Sequence, residues 1–135
     1  MTTPTAPPID WLLQNFVNKT RGVRSTLVTS NDGLLISQVN LGDHASGLAD
    51  VLSALASGVH SLAKGASKRL GSDGVVDQAL IQMGDTSLLV MEAGSGALLT
   101  VVSEPGADIG QIHYEMALLA KQVPGSLSVP ARQRI

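Results

Sequence analysis

The chain has 135 residues, with nine Lys and Arg against eleven Asp and Glu, 44% hydrophobic residues, only 2% aromatic ones and no cysteine. One domain of this size buries roughly two thirds of the surface its unfolded chain exposes, so a core of Leu, Val, Ile, Ala and Met is expected. The composition excludes disulfide frameworks, thiol nucleophiles and cysteine-ligated zinc, and it argues against nucleic acid, which needs a basic run and stacking rings.

Residues 1–8 hold prolines and small polar side chains, with no positive charge and no apolar run. They are expected to be a disordered lead-in, neither signal peptide nor anchor. Ile9, Leu12, Leu13, Phe16 and Val17 share one face at helical spacing, which predicts a first helix over 9–19. A β-branched run over 23–29, the turn Ser30-Asn31-Asp32-Gly33 and the run 34–38 predict a hairpin, because Asn, Asp and Gly tolerate positive φ. A long helix is predicted over 45–70, ending at Gly71.

Residues 75–83 alternate, with Val76, Gln78, Leu80 and Gln82 on one side, and their polar members predict an edge strand. The runs 88–91 and 97–102 are apolar at nearly every position, as strands covered on both faces are. Hairpin-length turns join these three strands, so the sheet is antiparallel. Asp108 is placed to cap a last helix whose Ile109, Ile112, Met116, Leu119, Ala120 and Val123 hold one face, and Pro124-Gly125 is expected to stop it. Residues 125–135 then read as a flexible tail after a domain over 9–124. The expected fold is α+β in the order α-β-β-α-β-β-β-α: a five-stranded antiparallel sheet, the long helix on one face and the terminal helices on the other.

The long helix has two stripes at alternating steps of four and three. Leu48, Leu52, Leu55, Val59, Leu62 and Ala66 form a large apolar stripe, assigned to the sheet. Ala54, Gly58, Ser61 and Gly65 form a second, roughly 120 degrees further round. Four small residues together would let another backbone approach, so with Val76, Gln78, Leu80 and Gln82 they are the expected pairing surface for a second copy. Asp50, Ser53, Ser57, His60, Lys64 and Lys68 are expected to point outward, toward solvent or a partner.

Catalytic chemistry finds little support. His44, His60 and His113 do not stand at metal-ligand spacing in one element, and Asp43 beside His44 reads as a solvated loop pair. Gly94-Ser95-Gly96 lacks the Lys-Ser/Thr of a phosphate loop and the spacing of a nucleophile elbow, so it is a hairpin turn. Glu92, Glu104 and Glu115 are not brought together by anything in the sequence. No enzyme activity, cofactor or metal is expected.

Several runs carry a family resemblance: Asp10-Trp11-Leu12-Leu13 with Phe16, Gly22-Val23, Ser30-Asn31-Asp32-Gly33-Leu34, Ala56-Ser57-Gly58 and Tyr114-Glu115-Met116-Ala117. In order and spacing they resemble the roadblock/dynein light chain family, and within it the small roadblock proteins of bacterial conservons, encoded with a Ras-like GTPase. The resemblance implies a profilin-like fold, and a homodimer formed through the long helix and the third strand. It further implies a small Ras-like GTPase as partner, whose GTP hydrolysis is promoted or which is held in a complex with a membrane sensor kinase-like protein. Asp50, Ser53, Ser57, His60, Lys64 and Lys68 would then face the GTPase. The expected location is cytoplasmic, with recruitment to the inner membrane face through partners and no membrane insertion. Arg21, Arg24, Arg69, Arg132 and Arg134 are scattered, and none matches an obligatory catalytic arginine. The competing reading is a small ligand-binding sensory domain of PAS or profilin-like shape, which requires a cavity holding a few polar groups.

Overall fold

The computed structural model describes residues 6–127. Most of the expected lead-in (1–5) and tail (128–135) lies outside the described residues. In chain order the elements are α1 (Ile9–Lys19), β1 (Val23–Ser30), β2 (Leu35–Val39), α2 (Leu48–Arg69), β3 (Ala79–Met83), β4 (Thr86–Glu92), β5 (Ala97–Ser103) and α3 (Ile109–Leu127). A single 3-10 turn, His44–Ser46, precedes α2. The fold is α+β, and its strands form one antiparallel sheet in the order β2-β1-β5-β4-β3.

The sheet carries two cores because its central strands are apolar on both faces. On one side Val28, Leu89, Met91, Leu99 and Val101 meet Leu13 and Phe16 of α1 and Ile112, Met116 and Val123 of α3. On the other, Leu88, Val90 and Val102 meet Ala56 of α2, with Leu52, Leu55, Ala79 and Ile81 packed around them. β2 and β3 are the two edges.

Local chemistry sets the boundaries. The β1–β2 turn closes through Gly33 N–H to the Ser30 carbonyl at 3.0 Å, with Gly33 at φ +90°. α2 ends with the Ser72 N–H on the Ser67 carbonyl and the Gly71 N–H on the Lys68 carbonyl, the paired bonds of a Schellman cap. Asp108 Oδ1 accepts the Gln111 N–H at 3.1 Å and so caps α3.

Three boundaries differ from those expected. The long helix does not begin at 45: Asp43 caps the 3-10 turn by accepting the Ser46 N–H, and Gly47 at φ +71° separates that turn from α2. The third strand begins at Ala79, so Val76 and Gln78 precede it. Val75 N–H turns back onto Asp73 Oδ1, and the Gln78 side chain is drawn to His113 of α3. Lastly, α3 continues through Pro124 to Leu127. Proline removes one helical hydrogen bond, but the Pro124 ring packs against Gly94 in the β4–β5 turn, and Val123 and Ser126 on either side of it are buried.

Candidate functional site

α2 lies across the sheet with a 22-residue span, yet only Ser53, Ala56 and His60 on it are fully buried. Together with Ala49 and Ala63, both partly buried, they make a third stripe at steps of four and three. Small side chains let the helix sit low on the strands. Ser53 satisfies its hydroxyl internally, donating to the Ala49 carbonyl at 2.7 Å. His60 reaches Glu92 at the end of β4, with Nε2 and Oε1 2.8 Å apart.

This docking corrects the assignment of the large apolar stripe. The helix is turned by about one residue, or 100 degrees, from the expected orientation, so Leu52, Leu55 and Val59 are only partly buried. Leu48 and Leu62 are exposed, Leu62 to 77%. It also corrects the outward placement of Ser53 and His60. Ser53 is inaccessible and His60 is 6% exposed, so neither side chain is on the surface of this chain. Ser57 is drawn inward as well, donating to the Asn31 carbonyl at 2.7 Å. Asp50, Lys64 and Lys68 are exposed.

The outward face that results is apolar and small. Ala54, Gly58, Ser61 and Gly65 are exposed, and a Cβ at Gly58 or Gly65 would meet nothing within 4 Å. Beside them stand Val51, 63% exposed, and Leu62. Because Ser57 leans on the β1–β2 turn while Leu52 and Leu55 lean on β3 and β4, the large apolar flank tilts toward the open edge of β3. On that edge strand Met83 is exposed on the face that Ala79 and Ile81 turn to α2, whereas Leu80, registered against Leu89, is exposed on the opposite face of the sheet. Helix and edge strand meet where Leu48 and Leu52 share a cleft with Met83, and the polar flank of α2 is turned toward the hairpin.

The other candidate groups stay apart. His113 pairs with Gln78, and Glu115 accepts from Gln111 at 3.2 Å. Asn31 bonds the 94–96 turn through Ser95 and Gly96, which ties the two hairpin tips together. An apolar cleft of about 260 Å³ opens beneath the first turns of α2, lined by Leu48, Leu52, Met83, Leu88 and Val102 with Arg24 and Asn40. Among the described residues no three His, Asp or Glu side chains gather as a metal site would need, and no helix is long and apolar enough to cross a membrane.

The model of the Roadblock/LC7 domain matches residues 9–103, which takes in all three hairpins, the long helix and the whole sheet. The chain belongs to the Roadblock/LC7 family. Among solved structures, a Roadblock/LC7 domain from Streptomyces avermitilis is 39% identical with a TM-score of 0.80, covering 90% of this chain and 98% of that one. The gliding protein mglB of Thermus thermophilus has the same fold, at 22% identity and a TM-score of 0.72, over 84% of this chain and 83% of that one. An uncharacterized protein of Methanocaldococcus jannaschii is 28% identical over 107 residues, 79% of this chain and 90% of its own. For this Roadblock/LC7 chain, the sequence missed the stripe that docks α2. Its signal was there, in the alternation Ala49, Ser53, Ala56, His60, Ala63, but the alternation alone does not rank it above a stripe of leucines.

Proposed function

We propose that this protein is a homodimeric, non-enzymatic regulator or scaffold that binds a small Ras-like GTPase. Family membership supports a regulatory or scaffolding role. The observation that carries the reading is the outward face of α2. An exposed row of Val51, Leu62 and Leu48 beside four small residues, in a fold whose β3 edge is also open, is what an obligate partner covers. Two copies meeting there would join their β3 edges into one sheet and bury the apolar flanks of both helices. Val51, Leu55 and Leu62 supply the bulk of that seam, and Ala54, Gly58, Ser61 and Gly65 supply the room. Of the third strand's expected contributors, Leu80 and Gln82 lie on the edge strand itself, whereas Val76 and Gln78 lie in the segment leading into it.

The GTPase follows from the resemblance to bacterial roadblock proteins, and its contact is assigned to the exposed polar flank, Asp50, Lys64 and Lys68. The test is GTP hydrolysis by the cognate GTPase with and without this protein, beside a pull-down in both nucleotide states. Binding with acceleration supports an activator, and binding alone a scaffold. No binding in either state rejects the assignment. The apolar cleft of about 260 Å³ favours a second reading, a ligand-sensing domain; small-molecule stabilisation abolished by Leu52→Trp is the measurement that would support it.

A further inference from the structure

The layer opposite α2 holds a surface that pairing through α2 and β3 leaves unused. A cleft of about 500 Å³ runs along the length of α1, from Trp11 to Lys19, where it meets the end of α3. Trp11, the only tryptophan, lines it and is 56% exposed. It is the largest of the chain's three aromatic side chains, and so the largest apolar surface that the cleft can offer a partner. Ser126 lines the same cleft, wholly buried, with a hydroxyl that has no hydrogen-bond partner among the described residues. Asn15 and Gln122 line it too, and among the described residues neither side-chain amide is engaged.

Charge indicates what fits. Lys19 and Lys121 both line the cleft, and neither lies within ion-pair distance of an acidic group among the described residues. Glu115 is the acidic residue of the adjoining stretch of the seam, where it accepts from Gln111. The unengaged amides of Asn15 and Gln122 suit an extended main chain, whose own N–H and C=O groups need partners, better than a helix, whose groups are already paired. The chain's own termini do not match. Residues 1–5 contain no Asp or Glu, and residues 128–135 carry Arg132 and Arg134, of the same sign as the two lysines.

We propose that the α1–α3 seam docks an extended, acidic segment of a partner protein, with Trp11 covering its apolar side chains and Lys19 and Lys121 pairing its carboxylates. The site does not involve α2, so it is independent of the pairing and GTPase readings. Trp11 is its own reporter, because no other tryptophan contributes to emission. The full-length protein is titrated with a peptide of alternating glutamate and proline, and with its glutamine–proline counterpart. A saturable blue shift with the acidic peptide is expected, weakened at least about tenfold by Lys19→Glu with Lys121→Glu or by the glutamine peptide. Circular dichroism of that double variant, which alters surface side chains only, confirms that the fold is intact. Equal affinity for the two peptides, or no loss on charge reversal, overturns the acidic class. Absence of any saturable change overturns the docking site, as does Trp11 emission already blue-shifted in the free chain and unresponsive to peptide.

Discussion

His60 and Glu92 join the middle of α2 to the end of β4 across 32 residues of sequence, Nε2 to Oε1 at 2.8 Å. The imidazole is buried and the carboxylate side chain is 36% exposed, so the pair fixes the helix over the sheet from beneath while keeping one partner hydrated. Glu92→Gln leaves the imidazole facing a neutral amide and should cost about 1–2 kcal/mol, and His60→Ala should cost at least as much. In urea unfolding the double variant should recover about 1 kcal/mol of coupling. Strict additivity would mean that the contact does not hold α2.

Gly58 separates two readings of the outward face. In a single chain its Cβ would meet nothing, so Gly58→Ala in an isolated surface helix should stabilise by about 1 kcal/mol through helix propensity. At a pairing seam Gly58→Trp should instead shift the protein from dimer to monomer by light scattering. A Gly58→Trp protein of unchanged mass would place the seam elsewhere.

Gly94 is constrained twice. Its φ is +84°, and an added Cβ would lie 2.8 Å from Pro124 Cγ. Gly94→Ala is therefore expected to lower stability by about 1–3 kcal/mol. The loss should be smaller in a Pro124→Ala background, where the steric part is relieved; an identical loss in both backgrounds would assign it wholly to the backbone.

Thr100 sits at the centre of β5 with no exposed surface and, among the described residues, no partner for its hydroxyl. A buried unpaired hydroxyl is worse than a methyl of the same shape. Thr100→Val should raise stability by up to about 1 kcal/mol in thermal or urea unfolding. A loss of more than about 1 kcal/mol would show that the hydroxyl is satisfied in solution.

Much of the architecture was legible along the chain. Runs 88–91 and 97–102 had no polar face to offer water, which required cover on both sides and set them inside the sheet; they are β4 and β5. The turn residues Ser30-Asn31-Asp32-Gly33 and the caps at Asp108 and Gly71 act through bonds to near neighbours, and all three hold. Where a distant group intervened, local reading stopped short. Pro124 reads as a helix stop until Gly94 supplies a flat place for its ring, and Gln78 reads as strand until His113 draws it away.

The candidate surface divides in the same manner. By itself the sequence determined that α2 has more faces than one sheet can use, because side chains at steps of three and four share a stripe whatever lies around them. It also determined the small outward row Ala54, Gly58, Ser61 and Gly65. Which stripe meets the sheet was decided only by the tertiary structure. Close approach over Ser53 and Ala56, with one imidazole finding a carboxylate on β4, prevailed over burying the leucines. Helical periodicity fixes angles within an element but not its rotation about its own axis, and that rotation left Leu48, Val51 and Leu62 facing outward.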